Sequence, residues 1–317
     1  MSELIAAFLI DLWIGDPVYP FHPARIMGRI VQASEPPLRR AFSNPLVGGA
    51  VLAFFLPLAV FVSVWILLIF LYRVHFLLGW AMNVFGIYSS LSVRDLYGHG
   101  MRVYKSLLKN DLEKAQSDVA RIVGRDTNRL DQKGIIRAAV ETIAESTVDG
   151  VVAPLFYAAL GGAPLALAYK AVNTLDSMIG HRNERYELFG RIAAKQDEAW
   201  NWVPARLSYY VITLAAFFVN RRSKEAFFTG WQDGMSAPHG NSAIPEAAFA
   251  GALGLRLGGV SHYDGRVIEK PFLGFPKKDF DEEDIIKALR LMITSAWISL
   301  VTALFLRYAT GLCARLI

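Results

Sequence analysis

Sulfur chemistry is nearly absent from this chain. One cysteine, Cys313, stands among 317 residues, which excludes an intrachain disulfide and a cysteine metal site. Charge is scarce as well: Asp, Glu, Lys and Arg make up 19% of the residues against 54% hydrophobic ones. The familiar catalytic signatures are missing too. No Gly-x-x-x-x-Gly-Lys-Ser/Thr phosphate loop, no Gly-x-Ser-x-Gly elbow and no paired-histidine metal motif occurs, which excludes the reaction classes built on them. There is no internal repeat, low-complexity tract or flexible linker. The first apolar segment lacks a basic n-region and is interrupted by Asp11 and Asp16, so it does not read as a cleaved signal.

What the chain has in quantity is uncharged length. Val47 to Tyr72 contains no charged residue, which exceeds the roughly 20 residues that cross a bilayer core. Phe76 to Val93, Val151 to Tyr169 and Leu291 to Leu306 are further runs. Leu207 to Val219 is shorter, with Trp200 and Trp202 before it and Arg221 and Arg222 after it as interfacial anchors. With a mean hydropathy of +0.33, these runs predict an all-α, polytopic integral membrane protein with four to five membrane helices, multi-pass in the cell membrane. Residues 1–317 are expected to form a single membrane-embedded domain. Within it, about 94–150 is a soluble-facing helical segment and 125–206 a central motif region.

The net charge of +5 does not point to nucleic acid. Between Arg94 and Asp149 there are ten Lys or Arg against nine Asp or Glu, a nearly neutral segment rather than a basic stripe. Positive charge gathers beside the apolar runs instead, as at Arg25, Arg29, Arg39 and Arg40. Arg39 and Arg40 place that side of the first run in the cytoplasm.

Polar chemistry is concentrated between Lys170 and Arg185. A helix over about Lys170 to Ile179 puts Asn173, Asp176, Ser177 and Gly180 on one face and Ala168, Val172, Leu175 and Ile179 on the other. Upstream, Asp111 and Asp131 are placed to cap helices. Their predicted inward residues are Leu112, Ala115, Val119 and Ile122, then Ile136, Ala139, Val140 and Ile143; Val103, Tyr104, Leu107 and Leu108 form the preceding apolar face. Glu141 and Glu145 lie one turn apart with Asp149 beyond. That spacing serves a solvated helix with an Arg137–Glu141 pair and equally a carboxylate set for Mg²⁺. Asp16 and His22 each precede a proline, which favours extended backbone; turn chemistry and a phosphate or metal contact both fit them. Gly161-Gly162-Ala163-Pro164 interrupts the third run, so one membrane helix is expected to be broken or re-entrant. Pro245-Glu246 opens a helix of small residues that Gly258-Gly259 is expected to end. Carboxylates mixed with Lys and Arg form the toolkit of ATP-dependent chemistry, and equally a buried ion network.

The blocks Gly124-Arg-Asp-Thr127, Glu141-Thr-Ile-Ala-Glu145 with Asp149-Gly150, Ala153-Pro-Leu-Phe156, Gly161-Gly-Ala-Pro164, Tyr169 through Gly180 and Pro204-Ala-Arg206 resemble the cobinamide synthase family. These are membrane proteins of cobalamin biosynthesis, also called adenosylcobinamide-phosphate synthases. Asp11 to Asp16 with His22-Pro23 and Met27-Gly28-Arg29 is similar to that family's N-terminal motif, and Ala250 to Gly259 to its C-terminal one. Departures fall at Ser146, where the family usually has Asn, at Lys195-Gln196 ahead of Asp197-Glu198, and in the loop 236–242.

The resemblance implies ATP-dependent amide formation between aminopropanol, or its O-phosphate, and a propionate of adenosylcobyric acid. It also implies ATP and Mg²⁺ as cofactors and the corrinoid as substrate; a re-entrant third run would put the active site on the cytoplasmic side, where ATP is. Against that chemistry the expected catalytic residues are Lys170, Asp176, Glu141 and Glu145. The expected substrate contacts are Asn173, Thr174, Ser177, Arg125, Asp126, Arg182, Asn201, Arg206 and His22, and the expected Mg²⁺ ligands Asp149, Glu145 and Asp197. The alternatives are a membrane transporter or binding protein for a corrinoid or other anion, which a broken helix also suits, and a diverged non-catalytic relative.

Overall fold

The computed structural model describes the whole chain apart from residues 18, 182, 237–239, 264 and 317 and the side chains of 266 and 312–316. In chain order the helices are α1 (Ser2–Ile14), α2 (Pro23–Ala41), α3 (Pro45–Val74), α4 (Phe76–Tyr88), α5 (Val93–Leu108), α6 (Leu112–Ala120), α7 (Gln132–Thr147) and α8 (Ala153–Ile179). After them come α9 (Arg191–Asn220), α10 (Ser223–Thr229), α11 (Ala243–Leu253), the strands β1 (Leu257–Tyr263) and β2 (Arg266–Leu273), and α12 (Glu283–Leu316). Single π-helical turns at Val148–Val152 and Gly230–Met235 precede α8 and α11. Among the described residues five helical stretches are long and apolar enough to cross a membrane: Pro45–Val74, Phe76–Leu108, Gln132–Ile179, Arg191–Asn220 and Glu283–Gly311. The protein is an α-helical membrane protein.

The chain divides into two compact units. Unit 1 holds Met1–Ser92, Ala153–Trp202 and Leu300–Ile317, and unit 2 holds Val93–Val152 and Val203–Ser299.

In unit 1, α3 follows directly from its sequence. Asn44 caps it by accepting from Leu46 N at 3.0 Å, Pro45 takes the first turn where no N–H is needed, and thirty residues follow. Most of its large side chains, including Phe54, Phe55, Trp65, Ile66 and Phe70, are exposed, as expected of a helix facing lipid. The α4 helix stops where Ser89 and Ser90 turn their hydroxyls back onto Gly86 O and Ile87 O, which ends the run that the composition extends to Val93. The core of the unit joins Val31 of α2, Leu52 and Leu56 of α3, Leu175 and Ile179 of α8, and Phe189.

The α8 helix is broken, as its Gly-Gly-Ala-Pro block predicts. Gly161 and Gly162 leave helical geometry, and Gly162 sits at φ 65°, a conformation that disfavours a side chain. A restarting helix exposes N–H groups, and Asn83 of α4 meets one of them: its Oδ1 accepts from Ala163 N at 2.9 Å, fully buried. Pro164 then occupies the first turn without a donor to satisfy.

In unit 2, Asp111 caps α6 through Lys114 N at 3.0 Å and Asp131 caps α7 through Gly134 N at 2.8 Å, both as expected. Ile136, Ala139, Val140 and Ile143 of α7 are wholly buried. Three local expectations fail. Leu108 and Leu112 are exposed, and α6 ends at Ala120 rather than at Gly124. All eleven residues of α11 are buried, and it ends earlier than expected, at Gly254 in the left-handed conformation. Gly258 and Gly259 belong instead to an antiparallel hairpin of β1 and β2, a small sheet beside the helices.

The cap on the broken helix is testable. Asn83→Leu removes the acceptor for Ala163 N and is expected to cost about 1–2 kcal/mol, read as a lower melting temperature of the detergent-solubilised protein.

Candidate active site

The amphipathic end of α8 forms as its spacing predicts. Val172, Leu175 and Ile179 are buried, Lys170, Asn173, Thr174 and Asp176 are half-buried, and Ser177 is exposed. Thr174 Oγ1 donates to Lys170 O at 2.7 Å and Ser177 Oγ to Asn173 O at 2.8 Å, so both hydroxyls lie along their own helix. Beyond Ile179 the chain turns tightly. A Cβ at Gly190 would stand 1.6 Å from Ile179 O, so only glycine permits the approach. The segment is fixed to α2 through Glu35, a buried carboxylate absent from the sequence-based expectations. Arg185 grips it with two bonds of 3.1 Å, Arg39 with one of 2.9 Å, and Tyr186 donates at 3.3 Å. Burial works against ionisation of Glu35, but the hydrogen bonds and charges of Arg185 and Arg39 outweigh it and hold the pKa below its ordinary value.

Also in unit 1, Asn201 is buried between Tyr169, whose hydroxyl donates to its Oδ1 at 3.0 Å, and Asp197, whose Oδ2 accepts from its Nδ2 at 3.0 Å. Tyr157 stacks on Tyr169 with ring centres 5.1 Å apart and donates to Trp200 O at 2.7 Å. His22 is buried, with Nε2 2.9 Å from Asp16 Oδ1 and its ring edge-on to Tyr19.

Unit 2 gathers a different set. Arg125 and Glu141 form a buried ion pair; Arg125 also donates to Ser261 Oγ at 3.3 Å, and Gly258 N donates to Glu141 Oε1 at 2.8 Å. Arg137 extends the Glu141 pairing at 3.9 Å and donates to Gly258 O and Val260 O, both at 2.7 Å, which clamps β1. Asp126 accepts from Gly265 N at 2.9 Å and so holds the hairpin turn. Glu141 thus forms the expected i,i+4 pair with Arg137, but on a buried rather than a solvated face, where Arg125 and the hairpin backbone engage it. Glu145 is exposed, Asp149 lies half-buried in the π-turn before α8, and Arg206 donates to Asn241 Oδ1 at 3.3 Å.

Two further ionisable residues of unit 2 were not among the expected site residues. Glu246, in the first turn of α11, is 4% exposed. Burial and repulsion from Glu145 push its pKa up to about 8, against the attraction of Lys270. Lys270 of β2 is itself held above its ordinary value: burial opposes its charge, but Glu246 and its neighbours more than compensate. Glu246 therefore carries its proton at neutral pH.

Glu145 and Asp149 belong to unit 2 and Asp197 to unit 1. Among the described residues no three His, Cys, Asp or Glu side chains come together to hold a metal ion. Arg182 and the middle of the 236–242 loop lie outside the described residues.

Two outcomes are expected. Arg125→Met strands a buried carboxylate and should cost roughly 3–5 kcal/mol of stability, part of which Arg125→Met combined with Glu141→Gln restores. The raised pKa of Glu246 gives stability that is full below its ordinary 4.5 and declines as pH rises through about 8. Melting curves at pH 6 and pH 9 should show that loss in the wild type and a smaller one in Glu246→Gln.

A family model described as CobD/Cbib protein matches residues 4–292, a span that includes every candidate residue from His22 to Arg206. The chain is 40% identical over 311 residues to a Clostridium perfringens protein named cobalamin biosynthesis protein CobD, covering 97% of this chain and 98% of that one. It is 40% identical over 305 residues to the Klebsiella pneumoniae protein of the same name, covering 95% and 96%. A Salmonella typhimurium protein named cobalamin biosynthesis protein CbiB is 40% identical over 306 residues, covering 96% and 95%. No solved structure matches. Similarity of this degree, running from one end of the chain to the other, makes it a member of the CobD/CbiB family.

Proposed function

We propose that this protein acts in cobalamin biosynthesis as an ATP-dependent carbon–nitrogen ligase. In this reading it joins aminopropanol, or its O-phosphate, to a propionate carboxylate of adenosylcobyric acid. The observation that carries the biosynthetic role is the end-to-end similarity to proteins named for cobalamin biosynthesis. The reaction itself rests on the motif resemblance and on what amide formation demands.

A carboxylate does not condense with an amine unaided at neutral pH. Transfer of the γ-phosphoryl group of ATP to a propionate oxygen would give an acyl phosphate and ADP. The amine nitrogen then attacks the acyl carbon, the bond to the phosphate oxygen breaks, inorganic phosphate leaves with the electron pair, and the nitrogen loses a proton. Magnesium enters with the nucleotide, since one or two carboxylates plus substrate phosphates suffice for that ion.

The polar end of α8 supports this reading in unit 1. Lys170 offers a cation for phosphate oxygens, and Asp176, six residues on, a carboxylate. Asn173 is the neighbouring donor and acceptor. Arg125 and Glu141, engaged with one another, serve as framework in this reading. The active site is placed in the cytoplasm, where ATP is, and the protein in the cell membrane.

The test is direct. Purified protein in detergent, given adenosylcobyric acid, aminopropanol phosphate, ATP and Mg²⁺, should form the amide, detected by mass spectrometry. Lys170→Met and Asp176→Asn should each lower turnover by roughly 10²–10³-fold, the size of losing one charge-stabilising contact, with the melting temperature kept. Corrinoid binding without any product would favour the transport or binding reading, which the broken α8 supports.

A further inference from the structure

The break in α8 opens a hollow of about 520 Å³ in unit 1. Its floor is Gly161, Gly162 and Pro164, with Asn83 beside them. One wall is a stripe of α3: Trp65, Leu68, Ile69 and Tyr72 recur at the three-and-four spacing that aligns side chains on one helix face. Arg73 and Arg307 complete the lining, and no carboxylate contributes to it among the described residues.

Two guanidinium groups with no lining acid make this an anion site in electrostatic terms. Arg307 spends one nitrogen on the end of the first half of α8, donating from Nη1 to Ala159 O at 3.3 Å, which leaves further donors of its fork. Arg73 is exposed and has no hydrogen-bond or ion-pair partner among the described residues. Glu3 of α1 feels the charge of Arg307, yet its carboxylate is bonded at 2.9 Å to the Met1 amino group rather than to either arginine. Long cationic side chains near helix ends often reach to the membrane surface without a ligand. Here they instead line a hollow, at a size typical of small-molecule sites.

The position selects the anion. Arg73 is the penultimate residue of α3, about 40 Å along the helix from Pro45, at head-group depth for a helix that spans the bilayer. From there the stripe runs back into the apolar part of α3, where Trp65, Ile66 and Phe70 are exposed. The hollow thus offers charge at one end and an apolar track leading from it. A free phosphate would use only the charge, and an apolar molecule only the track.

We propose that this hollow binds an anionic phospholipid, with its phosphate on the guanidinium groups of Arg73 and Arg307 and an acyl chain along the Trp65–Tyr72 stripe of α3. The phosphate takes charge-assisted, two-pronged hydrogen bonds from the arginines, and the chain covers apolar surface that the break leaves open.

Delipidated full-length protein in a neutral detergent gives the test. Phosphatidylglycerol, phosphatidylcholine and inorganic phosphate are added separately, with bound lipid read by native mass spectrometry and stability by thermal melting. Phosphatidylglycerol should be retained several-fold better than phosphatidylcholine and raise the melting temperature by a few degrees, while phosphate alone does neither. Arg73→Gln carries the decisive comparison, because Arg307 also supports α8. That variant should melt like the wild type without lipid and lose both the retention and the shift. Equal retention by Arg73→Gln, an equal response to phosphatidylcholine, or a full shift with inorganic phosphate alone would each overturn the proposal.

Discussion

A helix interrupted in apolar surroundings must satisfy the backbone groups that its interruption frees, because no water is at hand to do so. That constraint governs unit 1. Two side chains from other helices meet it: the Asn83 amide takes the N–H of Ala163, and Arg307 takes the carbonyl of Ala159. Between them Gly162 adopts a φ of 65° that other residues resist. Everything the second half of α8 presents, from Lys170 to Asp176, is aimed by this joint. The hydrophobic contacts of Leu175 and Ile179 with α3 then hold the direction that the joint allows.

The two units handle buried charge in contrasting ways. In unit 1 Glu35 is enclosed by donors from α2 and from the segment after α8, which hold its pKa below the ordinary value and keep it ionised. In unit 2 acids crowd one another. Glu141 is neutralised by Arg125 and the backbone of β1, while Glu246 keeps its proton. The first arrangement ties chain segments together through charge. The second leaves one carboxyl whose ionisation is finely balanced, and groups of that kind cluster where proton chemistry occurs.

Much of this was legible in the residues because the physics was local. The caps at Asp111 and Asp131 act within three residues, and the buried back of α8 follows from its period. The break follows from Gly161, Gly162 and Pro164. The hairpin carries a local signal as well, the Asp264-Gly265 pair between Val260 and Val267, set in a chain whose other signals are helical. What could not be read was non-local. Glu35 meets Arg185 across 150 residues, and Glu141 meets the hairpin across 117. No spacing rule relates such pairs. The same distance explains why Glu141 and Glu145, a turn apart, have unlike roles: a hairpin far along the chain covers one and leaves the other exposed.

The grip of Arg185 on Glu35 also has a meaning in time. At the usual pace of synthesis, about 5–20 residues per second, roughly 8–30 seconds pass between the emergence of α2 and that of its partner. During that interval Glu35 and Arg39, four residues apart, have only each other. The apolar side of α2, with Val31 against Leu52 and Leu56 of α3, needs only the helix made next. The Arg185 clamp on Glu35 can close only after the segment following α8 has been made, so α2 gains its apolar contacts and its full set of charge contacts at different times.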